Sequence, residues 1–467
     1  MIQIRRRLSR LLLVGVLAGL ACARSDLQFA APQPSPSAPI STASVSVVAP
    51  QQTALAPATA IAPSPLPLAS LTPAPLATAT IIPTATLATG VRISSEPASV
   101  GYLIPMTVRH VTESSAVLLF ELAAPAPGYV LYRPDEPGFG GWYLEELNPG
   151  ATRHQVILRD LGPGTRYQVL VGLGEDPTDL REPRLYGSDW GELRFRTASS
   201  NSTDLRIGVL GDSGFGESET EDLAELMVRY QLDFGLHTGD LAYRAFEEDS
   251  SPESYAKKYF LNLSPLLLNL PVYPVPGNHE YDADAYWQDR PFFYTAFAGI
   301  DQLGPPNQTW YSFARSGIQF LMLDSQAFHG AGGRQEQTAW LKERLDDPGY
   351  RFSIPVFHTP PYTSGRHRED GRAIRSEWQP LFEAAQVPLV LSGHDHNYER
   401  IVLNGVTYVV SGGGSTVLYP ETGEVPGSQV FARQTHFVLL EVLADRISLS
   451  AINLDGEVLD QAAIPLE

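Results

Sequence analysis

Side chains that can bind metal ions occur in five short segments, each of which follows an apolar run of strand character. They supply carboxylate, phenolate, amide and imidazole donors. Because the carboxyl ends of parallel strands meet at one edge of a sheet, where open α/β folds bind ligands, we expect these donors to lie close together. The segments are Gly211-Asp212-Ser213-Gly214, Gly239-Asp240-Leu241-Ala242-Tyr243, Gly277-Asn278-His279-Glu280, Phe357-His358-Thr359-Pro360-Pro361-Tyr362 and Gly393-His394-Asp395-His396.

This donor set suits two hard cations. Two such ions about 3.5 to 4 Å apart can hold a phosphoryl group and a nucleophile together. A single Gly-Asp pair usually marks only a turn, but five segments in one α/β region predict a dinuclear phosphoesterase site. A glycine before four of the donors predicts a tight turn at each strand end. The predicted ligands are Asp212, Asp240, Tyr243, Asn278, His358, His394 and His396.

Strands and helices alternate in residues 203–467. Leu205 to Leu210 is an apolar strand, Glu219 to Tyr230 has the period of an amphipathic helix, and Pro252 to Asn269 is a longer helical pattern. After His396 the pattern returns to hairpins. We therefore predict two packed sheets with helices outside, an α/β sandwich that forms the catalytic domain.

Residues 92–199 have a different pattern, with short alternating strands separated by Pro and Gly turns. This pattern is typical of an antiparallel β-sandwich. The segment from Leu161 to Val169 resembles the tyrosine corner of fibronectin type III domains. We expect a spacer, a docking platform or a lid rather than a second site of chemistry.

The first 91 residues predict export. Residues 1–22 have a basic start, an apolar run and small residues before Cys22, the only cysteine, which is typical of a signal peptide. Gly19-Leu20-Ala21-Cys22 resembles a bacterial lipoprotein processing site; the alternative is an ordinary signal peptide. Residues 23–91, rich in Pro, Ala, Ser and Thr, are predicted to be a disordered linker. The expected location is extracytoplasmic, either as a cell-surface lipoprotein or as a secreted protein.

Charge separates the body of the protein from its amino terminus. The whole chain carries −19, residues 1–26 contribute +4 and residues 27–91 nothing, which leaves −23 for residues 92–467. Such an acidic body disfavours nucleic acid and anionic membranes as partners, so we expect membrane contact only through the lipid anchor. Bound cations would be needed to attract a phosphorylated substrate.

The five segments resemble the pattern of the purple acid phosphatases, which are calcineurin-like metallophosphoesterases: GDxG, GDxxY, GNHE, an upstream histidine and GHxH. The resemblance covers residues 204–467, and plant-type members also carry a fibronectin-like domain. It implies that Asp240 bridges two ions. It implies Fe(III) at the first site and Fe, Zn or Mn, as a divalent ion, at the second. The implied first-site ligands are Asp212, Tyr243 and His396, and the implied second-site ligands are Asn278, His358 and His394.

The resemblance also implies hydrolysis of phosphate monoesters of small molecules, by attack of a metal-bound hydroxide on phosphorus. His279 and His367 would then be catalytic. Asn278, His279, Arg366, His367 and Arg368 would contact substrate, although plant enzymes have a second histidine where this chain has Arg368. A phosphodiesterase or nucleotide phosphatase with the same centre is the alternative within enzymes. A surface adhesion protein with an idle metallo-domain is the alternative from another class.

Overall fold

The computed structural model describes nine stretches of the chain. The signal peptide and most of the predicted linker lie outside them, so those predictions stay untested. The described residues are 80–81, 86–199, 204–243, 252–281, 293, 296–297, 303–306, 308–330 and 332–466.

Residues 80–196 form two sheets that pack on each other through buried side chains such as Phe120, Val156, Val130 and Val169. Most pairings in these two sheets are antiparallel, and among their described strands only β1–β8 and β3–β10 pair in parallel. The predicted β-sandwich is therefore present. The first sheet has the order β1 (Thr80–Ile81), β8 (Arg153–Leu158), β5 (Ala116–Leu122), β4 (Tyr102–Val111). The second has the order β2 (Thr86–Ala88), β7 (Trp142–Glu146), β6 (Gly128–Pro134), β9 (Arg166–Leu173), β10 (Leu180–Arg181), β3 (Ile93–Ser94), with β11 (Leu193–Arg196) also paired to β9.

A buried tyrosine fixes the corner before β9. The hydroxyl oxygen of Tyr167 accepts a hydrogen bond from the Gly162 N–H at 2.8 Å. The Thr197 hydroxyl donates to the Gly162 carbonyl at 2.6 Å from the far end of the domain. This is the contact expected of a tyrosine corner. Kinship with fibronectin type III domains stays a prediction.

Part of the linker prediction is wrong. Thr80–Ile81 pairs with β8 and Thr86–Ala88 pairs with β7, so both short strands belong to the sandwich although they lie within 23–91. The physical reason is that an edge strand leaves a row of unpaired backbone groups, which a short apolar segment satisfies by pairing. The folded part of the chain thus begins before Arg92.

Residues 205–465 form two further sheets. The third sheet has the order β14 (Val272–Pro274), β13 (Phe234–His237), β12 (Leu205–Leu210), β22 (His436–Val442), β23 (Arg446–Asn453), β24 (Val458–Pro465). The fourth has the order β15 (Tyr311–Arg315), β16 (Ile318–Met322), β17 (Phe352–Val356), β18 (Leu389–Ser392), β20 (Val406–Ser411), β19 (Tyr398–Leu403), β21 (Ser428–Ala432). Strands β12, β13 and β14 run parallel to one another, as do β16, β17 and β18. The three members of each group therefore end at the same edge of their sheet.

Apolar layers join these sheets to each other and to the helices. Ile207 and Leu236 of the third sheet belong to the same buried cluster as Ile354 and Leu391 of the fourth. Helical side chains cover the outer faces, which confirms the predicted two-sheet α/β sandwich. Among the described residues, none of the helices has the length and apolar character to cross a membrane. The α-helices whose bounds lie within the described stretches are α1 (Ser218–Val228), α2 (Pro252–Tyr255), α3 (Ser264–Leu267), α4 (Arg334–Leu345), α5 (Arg372–Glu377) and α6 (Gln379–Ala384).

The helix predicted from Pro252 to Asn269 is interrupted. A π-helical turn, Ala256–Leu261, follows α2 and precedes α3. Pro265 stands in the first turn of α3, where a proline is tolerated because its missing N–H would have no helical partner. The chain therefore restarts a helix there instead of extending one.

The β-sandwich packs against the helices on the outer face of the third sheet. The Arg194 N–H donates to the Leu268 carbonyl at 2.7 Å, and the Trp190 ring meets the Phe260 ring edge to face at 6.0 Å. Buried side chains from both parts form one apolar cluster. The sandwich is thus held to the α/β region by core-like packing.

Candidate metal centre

The predicted ligands follow the carboxyl ends of neighbouring strands. Asp212, Asp240 and Asn278 come after β12, β13 and β14 of the third sheet. His358 and His394 come after the adjacent strands β17 and β18 of the fourth. Because these strands are parallel within each sheet, the two sheets bring the donors to one edge of the sandwich.

The turns at these strand ends differ from the expectation in one respect. The donors Asp212, Asp240 and His394 themselves have left-handed backbone, with φ of 60°, 55° and 69°. Such conformations are uncommon outside glycine and cluster at functional sites. The glycines matter mainly for close approach, since a Cβ at Gly277 would overlap the Asp240 carboxylate and one at Gly393 would overlap the Asp212 carboxylate.

The first group of donors contains Asp212, Asp240 and His396, whose ligand atoms lie within 4.8 Å of one another. Tyr243 joins this group, because its hydroxyl lies 3.1 Å from Asp212 Oδ1 and 2.9 Å from His396 Nε2. The Tyr243 ring stacks on Phe215 at 3.9 Å. The four side chains predicted to hold one ion and its bridge are therefore together.

The second group contains Asp240, His358 and His394, again within 4.8 Å. His358 Nε2 lies 3.3 Å from Asp240 Oδ1, 3.0 Å from Asn278 Oδ1 and 3.1 Å from His394 Nδ1. The other nitrogen of His358 is 2.9 Å from the Thr238 carbonyl, which fixes the ring. Asp240 is the one residue that both groups share, as the bridging position requires.

The electrostatics of the site call for positive charge. Burial and the nearby Asp240 raise the pKa of Asp212, against the opposing effect of His358. Burial alone would lower the pKa of His358, but Asp240 beside it raises that pKa to about 10. Asp240 thus favours positive charge at His358. A cation bound here would compete with a proton for the His358 nitrogen, and the donor types fit a pair of hard cations.

The predicted catalytic histidines lie beside the two groups. The His279 ring is 4.5 Å from the Tyr243 ring, and its backbone N–H donates to Asp240 Oδ1 at 3.1 Å. The His367 ring is 4.3 Å from the His394 ring. Both are half-buried, so each combines contact with the site and access to solvent.

The two predicted arginines differ in their surroundings. The exposed Arg366 guanidinium lies 5.1 Å from the centre of the Tyr419 ring, and Tyr419 stacks on the ligand His396 at 4.1 Å. Arg366 is therefore at the rim of the site. The Arg368 guanidinium lies against Gly423, where any added side chain would collide with it. Contact of either arginine with substrate stays a prediction.

Sequence reasoning assigned no role to Glu280, although it stands in one of the five segments. Its buried carboxylate accepts backbone N–H groups of Asp240 at 3.0 Å, Leu241 at 2.9 Å and Gly277 at 2.7 Å. The Tyr255 hydroxyl donates to it at 3.3 Å. Glu280 therefore ties the loop of the bridging residue to the loop of Asn278.

Three further carboxylates make contacts that the sequence did not predict. Asp395, between the two predicted histidine ligands, accepts the N–H groups of Arg366 and His367 at 2.9 and 3.1 Å. Glu399 accepts the N–H and hydroxyl of Ser364 at 2.6 and 2.7 Å. Asp370 contacts His367 and His394. The position of Asp395 inside a ligand segment was the one sequence signal for any of them.

Several known proteins are similar to this chain in sequence. Residues 205–398 match the family model of the calcineurin-like phosphoesterases. The chain is 25% identical to purple acid phosphatase 23 of Arabidopsis thaliana over 299 residues, covering 56% of this chain and 62% of that protein. It is 25% identical to purple acid phosphatase 15 of the same plant over 295 residues, covering 56% and 53%.

A solved structure shows the same fold. The purple acid phosphatase PPD1 from yellow lupin (Lupinus luteus) seeds aligns with a TM-score of 0.59 and 18% identity, over 77% of this chain and 74% of that one. Residues 205–398 thus match the calcineurin-like phosphoesterase domain, the sequence is similar to purple acid phosphatases, and the fold is that of PPD1. The chain spans somewhat more than half the length of the two plant relatives.

The role of Glu280 can be tested by Glu280→Gln. The amide keeps the size but replaces one acceptor oxygen with a donor that faces backbone N–H groups, at a cost of about 1–3 kcal/mol in the free energy of unfolding. We expect binding of Zn²⁺, measured by competition with a chromophoric chelator, to weaken by about 10- to 100-fold.

The matched control is Glu253→Gln, which removes an exposed helix pair with Lys257 and should change neither quantity. Unchanged Zn²⁺ affinity in a folded Glu280→Gln protein would show that this carboxylate does not position the bridging residue.

Proposed function

We propose that this chain is an exported, metal-dependent phosphatase that hydrolyses phosphate monoesters of small molecules. The observation that supports it best is that Asp240 belongs to both three-residue donor groups, one with Asp212 and His396 and one with His358 and His394. A shared carboxylate between two sets of hard donors is what a dinuclear hydrolase needs.

In this proposal Asp212, Tyr243 and His396 hold the first cation, and Asp240 bridges to the second. Asn278, His358 and His394 complete the second set. When bound, the two cations would supply Lewis acidity and an activated oxygen nucleophile for phosphoester hydrolysis. The side chains of the chain itself must then orient the substrate and provide the proton for the leaving oxygen.

His279 and His367 are proposed for those tasks, with Asn278, Arg366 and Arg368 as further substrate contacts. Asp370 Oδ2 lies 3.2 Å from His367 Nδ1, so a proton on Nδ1 is held by the carboxylate. Nε2 is then the nitrogen of His367 that can carry a second proton toward a leaving group. The Arg366 guanidinium at the rim adds positive charge where an anionic substrate would enter.

The acidic body makes the cations part of substrate recognition. A net charge of −19 repels phosphate at long range. Two bound cations with a combined charge of about +5, against three anionic ligands, would leave about +2 at the site. Substrate attraction would therefore be local and would vanish with the cations.

The central test is Asp240→Asn. Loss of the shared charge should lower hydrolysis of p-nitrophenyl phosphate by about 100-fold or more, because even groups that only support a ligand cost 10- to 100-fold when changed. Steady-state kinetics and metal content by mass spectrometry measure the two effects together.

Asp222→Asn, an exposed change on α1, serves as the control and should keep full activity. Near-parental activity of a folded Asp240→Asn protein would defeat the proposed centre. Faster hydrolysis of phosphodiesters or nucleotides than of p-nitrophenyl phosphate by the parent protein would favour the phosphodiesterase or nucleotide phosphatase alternative. Absence of hydrolysis in metal-loaded protein would favour the adhesion alternative.

The metal identities rest on Tyr243. A phenolate is a hard donor that favours a trivalent ion, so we propose Fe(III) at the first site and Fe, Zn or Mn as divalent ion at the second. Iron-loaded protein should then absorb in the visible range through phenolate-to-iron charge transfer, and the band should disappear in Tyr243→Phe. Visible spectra at matched iron content measure this.

Tyr419→Phe is the matched control, because the Tyr419 ring stacks on His396 at 4.1 Å and Tyr419 is not one of the seven predicted ligands. Iron-loaded Tyr419→Phe protein should keep the visible charge-transfer band. A band that survives in Tyr243→Phe would place this phenol outside the metal shell.

The location of the protein rests on the sequence, since the amino terminus lies outside the described residues. We propose that Cys22 carries a lipid and that the linker tethers a sandwich domain, which begins at or before Thr80, and a catalytic domain, from about residue 203. Cys22→Ser should then move active protein from the membrane fraction to the soluble fraction, while Ser25→Ala should not. Retention of the Cys22→Ser protein in membranes would contradict the lipid anchor and leave another means of attachment.

A further inference from the structure

A third side-chain cluster adjoins the metal centre and consists of His367, Asp370 and His394. One carboxylate oxygen contacts both histidines, because Asp370 Oδ2 lies 2.9 Å from His394 Nε2 and 3.2 Å from His367 Nδ1. The two imidazole rings are 4.3 Å apart. One acidic side chain therefore contacts both a proposed metal ligand and a proposed catalytic histidine.

The two nitrogens of His394 face different partners. Nδ1 lies 3.1 Å from His358 Nε2, on the side of the second donor group, whereas Nε2 faces Asp370. A neutral imidazole that gives Nδ1 to a cation keeps its proton on Nε2. Asp370 is the acceptor in place for that proton, and such a carboxylate fixes both the tautomer and the ring orientation of a metal-binding histidine.

The same carboxylate restrains His367. The Asp370 carboxylate accepts a hydrogen bond from His367 Nδ1–H, and the Asp370 backbone N–H donates to the His367 carbonyl at 3.1 Å. The two residues therefore form a closed turn. Asp395 holds the His367 backbone N–H at 3.1 Å. Side chain and backbone of His367 are thus fixed by two separate carboxylates.

We propose that Asp370 is a positioning residue that sets the Nδ1-binding tautomer of His394 and couples that ligand to His367. The inference rests on the proposed function, because it concerns the second cation of the same centre. It predicts that loss of the Asp370 carboxylate weakens binding of the second cation. It also predicts that, without this carboxylate, His367 no longer contributes to kcat.

The cluster has a competing interpretation, since its three ligand atoms also lie within 4.8 Å of one another and could hold a third cation. That would require His394 to give up the proton on Nε2 while Nδ1 binds the second cation. The imidazole would then have to be an anion, which is far less accessible than the neutral ring. The hydrogen-bonded arrangement is therefore favoured.

The first experiment measures Zn²⁺ binding to full-length protein by chelator competition, for the parent, Asp370→Asn and Asp370→Glu. We expect the parent to bind two equivalents of Zn²⁺. In Asp370→Asn the affinity for the second equivalent should fall by about 10- to 100-fold, and in Asp370→Glu that affinity should recover in part. Glu369→Gln is the control, because the neighbouring Glu369 is exposed and contacts only Arg372 in the described structure.

The second experiment is a double-mutant cycle on kcat for p-nitrophenyl phosphate with Asp370→Asn, His367→Ala and the double variant. If the two residues are coupled, kcat of the double variant should be little lower than kcat of the more damaging single variant. A residue that only supported the fold would instead give multiplied losses.

The outcomes separate this inference from the proposed function. If the parent binds Zn²⁺ at two sites that Asp240→Asn disrupts, while Asp370→Asn leaves both affinities unchanged, the positioning role is wrong and the phosphatase proposal stands. A third Zn²⁺ equivalent that is lost in Asp370→Asn, with the first two intact, would overturn the inference in favour of a third cation. A parent that binds no pair of cations would refute the proposed function itself.

Discussion

The rest of the site depends on the burial of Asp212 and Asp240 close to each other. Their side chains are 0% and 2% exposed, at the ends of adjacent parallel strands. Removing a carboxylate from water costs several kcal/mol, and a second one nearby adds repulsion. The pKa of Asp212 is raised by burial and the pKa of His358 is raised by Asp240, so protons on these side chains reduce the net negative charge. The surrounding donors are of the types that bind hard cations, which would reduce the same charge.

Other buried carboxylates near the site have a different task. Glu280, Asp395 and Glu399 accept backbone N–H groups from the loops that carry the proposed ligands and His367. The Asp212 carboxylate likewise accepts the His394 N–H at 2.9 Å, which joins the two sheets across the site. These bonds help to hold the left-handed turns at the strand ends. These bonds also restrict the loops that carry the donors, which reduces the cost of ordering them around a cation.

The sequence was sufficient to predict the central strands and to select seven donor side chains that the structure brings together. Strands such as Leu205–Leu210 are buried apolar runs, and each ligand segment is local, so neither depends on a distant partner. The sequence did not predict the roles of side chains that contact residues far along the chain. Glu280 acts on Asp240, 40 residues away, and Asp395 acts on His367, 28 residues away. Spacing along the chain carries no trace of either contact.

The strand pairings missed by the sequence have the same origin. Thr80–Ile81 and Thr86–Ala88 are too short and too uniform in composition to have a period, and they become strands because sheet edges are available. Strand β24 has only two buried residues, Asp460 and Ile464, so its pattern is weak until β23 pairs with it. Long-range pairing is a property of the folded chain.

The central claim is that two cations share Asp240, and diffraction from crystals soaked in Zn²⁺ or Mn²⁺ tests it most directly through anomalous scattering. The account predicts two anomalous peaks about 3.5 to 4 Å apart, one on each side of the Asp240 carboxylate. Asp212, Tyr243 and His396 should surround one peak, and Asn278, His358 and His394 the other. A single peak, or two peaks that do not share Asp240, would contradict the account.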